Sequence, residues 1–155
     1  MNLDLNLNSL WSTATKFPGG ARLFSLSLGF VAPYTGSISP EVQELRPGYA
    51  RVSMRDRKAV RNHLQCVHAV ALANLGELTG NLALMATLPN ARDMIVTGFS
   101  IEYLKKARGT LTAECQLDAQ PGAKELSPQV SIKNAEGIEV ARATARCLLR
   151  RPFGS

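Results

Sequence analysis

Hydrophobic and polar positions along the chain fall into three rhythms. The longest is a run of 28 residues, Leu64 to Ala91, that carries one formal charge, Glu77. Its middle is rich in Ala, Leu and Met, and its apolar positions go most of the way round a helical wheel. That pattern predicts a helix over 64–88, enclosed by other structure rather than laid on a surface. Its longest unbroken apolar stretch falls well short of the roughly 20 residues a bilayer span requires. The polar residues inside it are few: His68, Asn74, Glu77, Thr79 and Asn81. Glu77 asks for an explanation first, because a carboxylate is almost never fully buried without a partner or a task.

The second rhythm is alternation. Ala50, Val52 and Met54 alternate with Tyr49, Arg51, Ser53 and Arg55, one dry face and one wet, as in an antiparallel strand over a core. Ser37–Leu45 precedes it across Arg46-Pro47-Gly48, which predicts a hairpin. In Met94–Leu104 the residues Ile95, Thr97, Phe99, Ile101 and Tyr103 share a face. Leu111, Ala113, Cys115 and Leu117 oppose Thr110, Thr112, Glu114 and Gln116. Gln129–Lys133 and Ile138–Leu149 are joined by the turn Asn134-Ala135-Glu136-Gly137, and Arg142, Thr144, Arg146 and Arg150 lie on one face of the last strand.

The third rhythm is amphipathic. Residues 3–15 place Leu3, Leu7, Leu10, Trp11 and Ala14 on one side of a short helix that Pro18-Gly19-Gly20 ends. Arg22–Phe30 fits helix or strand, and Pro33-Tyr34-Thr35-Gly36 reads as a turn or loop. The order is a helical start over 1–35, two strands, one apolar helix and about four more strands. A helix dry on nearly all sides needs a sheet that curls round it, so the expectation is an α+β fold in one domain over 1–155, a curved antiparallel sheet wrapped around a central helix.

Composition narrows the chemistry. With 155 residues, 45% hydrophobic and 19% charged, the chain suits one globular domain. The start, M-N-L-D-L-N-L-N-S-L-W, lacks the basic beginning of a secretory signal. Cys66, Cys115 and Cys147 are odd in number and widely spaced, which argues against a disulfide framework and for a reducing, cytoplasmic setting. None of them has zinc-ligand spacing, and no metal is expected. The net charge of +6 favours polyanionic partners, among them nucleic acid, acidic proteins and phosphorylated cofactors such as coenzyme A.

The stretch N-H-L-Q-C-V-H-A-V-A-L-A-N-L-G-E, residues 62–77, resembles the motif of hotdog-fold thioesterases of the phenylacetyl-CoA type. That family places an Asn six residues before a His, a small residue after the His and an acid nine after it; Asn62, His68, Ala69 and Glu77 stand at those positions. Residues 37–150 resemble its architecture, and the segment with Pro33-Tyr34 resembles a thioesterase-like branch of the superfamily. Where the family often has Gly-Gly after the His, this chain has Ala69-Val70, and its acid is Glu where near relatives often carry Asp. The resemblance implies a hotdog fold, active sites at a dimer interface, and a homodimer or dimer of dimers. It also implies catalytic roles for Glu77, His68, Asn62 and Ala69, with Thr97 in the region that supplies a polar residue to position water.

The residues support this on physical grounds. Thioester hydrolysis needs a carboxylate that activates water or attacks directly, and donors for the developing oxyanion. Glu77 is the one carboxylate that the apolar helix offers for the part of base. The Ala69 N–H at the helix start is unpaired within the helix, where the macrodipole adds positive character. Nine residues at about 100° each put Glu77 on the opposite side of the helix from His68, roughly 13 Å along it. Two antiparallel copies, rather than one, bring Glu77 to His68, Asn62 and the Ala69 N–H.

Taken singly, Glu77 also reads as a satisfied core carboxylate, His68 as a packing residue and Asn62 as the helix N-cap. Jointly they read as a site. Cys66 and His68 do not make a nucleophile pair, because residues two apart on a helix do not face each other. Arg55, Arg57, Lys58 and Arg61 before the helix, and Lys105, Lys106 and Arg108 after the third strand, read as solvated surface or as patches for coenzyme A phosphates. Nucleic acid fits less well, since aromatic residues are not interleaved with the charges. The expectation is an acyl thioester hydrolase acting on acyl-CoA or an acyl carrier protein thioester, without cofactor or membrane. A non-catalytic module of the same fold, binding an acyl chain or a protein partner, is the alternative that Val70 favours by narrowing the site.

Overall fold

The computed structural model of the chain describes residues 6–88, 94–118 and 122–150. Leu3, Pro89, Asn90 and Ala91 lie outside them. Helices α1 (Leu7–Ala14), α2 (Gly20–Val31) and α3 (Pro33–Gly36) precede β1 (Glu41–Arg46) and β2 (Tyr49–Met54). A short 3-10 turn, Lys58–Val60, leads to α4 (Ala69–Thr87). Strands β3 (Met94–Tyr103), β4 (Leu111–Gln116), β5 (Glu125–Leu126), β6 (Gln129–Lys133) and β7 (Glu139–Leu149) complete the chain. All the pairings are antiparallel, the sheet runs β1-β2-β4-β6-β7-β3, and β5 pairs with β7 off that path. The sheet wraps α4 in the hotdog arrangement.

The alternating strands do what their patterns require. Ala50, Val52 and Met54 of β2, Leu111, Ala113 and Cys115 of β4, and Val130 and Ile132 of β6 are buried under α4 with Leu72, Leu75, Leu82 and Ala83. The helix approaches the sheet closely because Gly76 has no side chain: a Cβ there would lie 2.9 Å from the Ala143 Cβ. Glycine inside a helix costs about 1 kcal/mol relative to alanine, and here close helix–sheet packing offsets that. By length and hydropathy α4 has the makings of a membrane span, but 67% of that stretch is buried inside this fold.

Three expectations are corrected and one open reading is decided. The central helix begins at Ala69, not at 64, because His68 is its N-cap and residues 61–67 form a loop closed by a bridge between Arg61 and Val67. Asn62 is therefore not the cap. The ambiguous stretch 22–30 is helical and belongs to α2, with Phe24 buried and Leu23, Leu26 and Phe30 exposed. In β3, a bulge between Val96 and Gly98 changes the register. Phe99, Ile101 and Tyr103 lie opposite the inward-facing Ala145, Ala143 and Ala141, whereas Ile95 lies opposite the exposed Leu148. One extra residue on a strand of period two moves everything beyond it to the other face.

Candidate active site

The approach to α4 is built by its own loop. The Asn62 N–H donates to the Cys66 carbonyl at 2.9 Å, and Asn62 Oδ1 accepts from the Leu64 N–H at 2.9 Å and from the Cys66 N–H and thiol at 3.4 Å each. Asn62 thus organises the turn with its carbonyl oxygen, and Nδ2 is what it has to offer a ligand. The His68 N–H donates to the Val60 carbonyl at 2.8 Å, and its Nδ1 accepts from the Val70 N–H at 3.0 Å. A neutral imidazole that accepts at Nδ1 carries its hydrogen at Nε2, so His68 presents a donor from an exposed ring. The Ala69 N–H, at the first helical position, has no acceptor among the described residues. Two donors therefore stand side by side at the positive end of α4.

Beside them lies a cavity of about 200 Å³ lined by Tyr34, Ile38, Val60, Arg61, His68, Val70, Ala71 and Asn74, among others. Val70 reaches it with a side chain 49% exposed. Asn74 is 5% exposed; its Nδ2 donates to the Tyr34 carbonyl at 3.0 Å, pinning α3 to α4, while its Oδ1 is buried with no partner. An unmet buried acceptor costs about 1–3 kcal/mol.

Glu77 is absent from that cavity. It lies on the least covered stripe of α4, where Val70 is exposed and Ala73, Glu77, Asn81 and Met85 are half-buried at helical spacing. The expectation of a helix enclosed on every side is thus met on about three sides within one chain. Asn81 Nδ2 donates to Glu77 Oε1 at 3.4 Å. The Cys147 thiol on β7 is pushed up by burial and then by the charge of Glu77, which places Glu77 toward the β7–β3 side of the sheet. Thr97 sits in the β3 bulge with its hydroxyl 3.3 Å from the Arg146 carbonyl. Gly98 next to it has no room for a side chain, since a Cβ would meet Arg146 Nη2 at 2.7 Å.

The two basic segments meet. The Val67 N–H donates to the Ala107 carbonyl at 2.8 Å, and Arg108 Nε donates to the Gln65 carbonyl at 3.4 Å. Asp56 is the joint between them: Oδ1 accepts from Arg61 Nε at 2.7 Å and Oδ2 from the Gly109 N–H at 3.0 Å. The Arg61 hydrogen bond is the main cause that holds the Asp56 carboxyl below its ordinary range, against the upward push of burial. Arg57 donates to the Ser37 carbonyl at 2.6 Å and to Ser39 Oγ at 3.1 Å, bracing the link between α3 and β1. Lys58, Lys105 and Lys106 are exposed.

Of the residues singled out in the sequence, Asn62, His68, Ala69 and Arg61 come together at the start of α4, while Glu77 and Thr97 stand apart from them. Tyr103, whose hydroxyl donates to the Ala69 carbonyl at 3.1 Å, was not legible in sequence. Asn81 was, since a polar residue four positions after Glu77 shares its face.

The sequence profile described as "Domain of unknown function (DUF4442)" matches residues 20–149. A search of the curated proteins finds no match. Among solved structures, the protein solved as genomics APC5556 is 31% identical with a TM-score of 0.80, over 94% of this chain and 98% of that one. PA5026 from Pseudomonas aeruginosa, described as a protein of unknown function and probable thioesterase, is 25% identical with a TM-score of 0.70, over 88% and 97%. The PaaI protein of E. coli, from the phenylacetic acid degradation operon, shares the fold at 19% identity, with a TM-score of 0.65 over 82% and 94%.

Proposed function

We propose, for a chain that belongs to the DUF4442 family and carries the hotdog fold, that it hydrolyses an acyl thioester of coenzyme A or of an acyl carrier protein. The observation that carries this reading is the pair of unclaimed donors at the start of α4, His68 Nε2–H and Ala69 N–H, beside a small cavity of about 200 Å³. They are placed to hold a thioester carbonyl oxygen and to stabilise the oxyanion that forms on it. The basic segments meeting at Asp56 support a phosphorylated carrier lying outside the cavity, with Lys58, Arg61, Lys105 and Lys106 facing its phosphates and Arg57 bracing the rim. The name of PA5026 as a probable thioesterase supports the same class of reaction.

The base comes from a second copy of the chain. The ten-residue β3 is an edge strand with no partner on its outer side among the described residues, and Ile95, Phe99 and Tyr103 on it are exposed. A homodimer, or a dimer of such dimers, joined near that edge brings the Glu77 stripe of one copy toward the His68 end of the other. Glu77 takes a proton from water, and the water oxygen bonds to the thioester carbon. The oxyanion is held by the Ala69 N–H and His68, and the C–S bond then breaks. The thiolate leaves and takes up a proton, giving a carboxylic acid and a free thiol. Asn81 orients Glu77, Asn62 Nδ2 holds the thioester, and Thr97 in its bulge helps to place the water. The three free buried cysteines are in keeping with a cytoplasmic protein.

Two variants test this together. Glu77→Ala removes the base. Ala69→Pro removes one N–H at a helix position that tolerates proline, and His68 already has the extended φ −64°, ψ 141° that a residue before proline adopts. Each alone is expected to lower thiol release from acyl-CoA by about 10²-fold or more. Mixed after unfolding and refolding, they should regain about a quarter of wild-type turnover, because half the symmetric dimers then hold one intact site. Full activity in Glu77→Ala overturns the assignment. A second reading, a non-catalytic acyl-binding module, is favoured by Val70 at the cavity; binding of acyl-CoA without thiol release across an acyl panel would establish it.

A further inference from the structure

We propose that Asn74 is a specificity-determining residue whose Oδ1 reads a hydrogen-bond donor, a hydroxyl or an N–H, on the acyl portion of the substrate. This rests on the thioesterase reading for the position of the carbonyl and deepens it by naming the class of acyl group.

Asn74 lines the cavity beside His68, is 5% exposed, and has an Oδ1 that is buried without a partner. Its orientation is fixed. Nδ2 donates to the Tyr34 carbonyl at 3.0 Å, and a flipped amide would set two oxygens against each other at that distance. The acceptor is therefore the atom left for a ligand. A plain hydrocarbon chain in the cavity would leave it unmet, and a site built to accept a hydrogen bond rejects an analogue that lacks the donor. Asn74 is the one buried polar side chain of this lining: Ile38, Val60 and Ala71 are buried and apolar, while Tyr34, Ser37, Ala59, Arg61, His68 and Val70 are exposed.

The position along the helix sets where the donor must be. Asn74 lies five residues beyond Ala69, about 7.5 Å along the axis at 1.5 Å per residue. With the carbonyl oxygen at the Ala69 N–H, the donor belongs several bonds away, near the far end of a short acyl chain. The cavity, at about 200 Å³, is smaller than the roughly 300–1,000 Å³ of ordinary ligand pockets, which again favours a short polar acyl group over a long fatty one.

The test uses S-(2-oxoalkyl) coenzyme A thioethers, which keep the carbonyl but cannot be hydrolysed, as a short-chain series in pairs with and without a terminal hydroxyl. Calorimetry on the full-length protein is expected to give at least about tenfold tighter binding for the hydroxylated member of the best pair. That ratio should fall to about one in Asn74→Leu and stay above one in Asn74→Asp, whose carboxylate still accepts. A ratio of one in the wild type at every length, or a ratio unchanged in Asn74→Leu, overturns the proposal. If Asn74→Leu does not fold, as judged by circular dichroism, the wild-type and Asn74→Asp ratios decide. Thiol release from the matching thioesters is measured separately. Hydroxyl preference without any release would overturn the thioesterase reading while upholding Asn74.

Discussion

The two edges of the sheet are finished in different ways. At one, β1 is six residues long, bulged between Val42 and Glu44, and packed against α2. Ser25 of that helix accepts the Val42 N–H at 2.9 Å and donates to the Ala21 carbonyl at 2.9 Å. A short, bulged and covered strand is a poor template for another chain. At the other edge β3 is ten residues long, with exposed apolar side chains and no strand on its outer side among the described residues. The chain closes one edge with its own N-terminal helices and leaves the other open among the described residues. Glu77 lies toward the open side.

A charge placed on each edge should separate them most sharply. Phe99 of β3 lies near Gly76 and is 37% exposed. Phe99→Asp is expected to shift the protein to a monomer in sedimentation velocity and to lower thiol release by about 10²-fold or more. Gln43→Asp, at an exposed position of β1, should leave both measurements unchanged. A monomer that keeps full turnover would show that the open edge has no part in the site.

A smaller effect is expected where the closed edge is held. Ser25→Ala leaves the buried Val42 N–H without an acceptor, at a cost of about 1–3 kcal/mol, read as a lower urea midpoint with unchanged slope and oligomeric state. The smallest concerns Asp56, the joint between the two basic segments. Its folded proton affinity is lowered by Arg61 first, so its contribution to stability is present above the unfolded carboxylate value of about 3.9 and is lost as pH falls through the lower folded value. Wild type should therefore exceed Asp56→Asn in stability at neutral pH, and the gap should close below about pH 4. A gap that widens in acid would contradict the assignment.

Much of the fold was written in alternation. Strands β2, β4, β6 and β7 follow their patterns because each has one face on α4 and one on solvent. Reading failed where local chemistry overrode periodicity. The β3 bulge at Thr97 splits one pattern into two, and its signal in the sequence is the isolated Gly98, which carries no side chain to interrupt the alternation. The two residues of β5 are too few to show a period. The helix start was misplaced by five residues because composition does not reveal where a backbone turns; the capping imidazole of His68 decides that. At the site, Asn62, His68 and Glu77 were visible through their spacing. Asn74 and Tyr103 act through partners distant in sequence, Tyr34 and Ala69, and spacing carries no trace of them.

The ring of His68 has two employers. One nitrogen terminates the helix by accepting the Val70 N–H, and the other is left for a ligand on an exposed ring that lines the cavity. Deleting the ring removes both at once, so a loss of turnover in His68→Ala cannot be divided between chemistry and a frayed first turn. Asparagine, a strong N-cap in its own right, restores the helix end while presenting a shorter and differently aimed donor. The difference between His68→Ala and His68→Asn then measures what the helix end contributes, and the difference between His68→Asn and wild type measures what the imidazole adds.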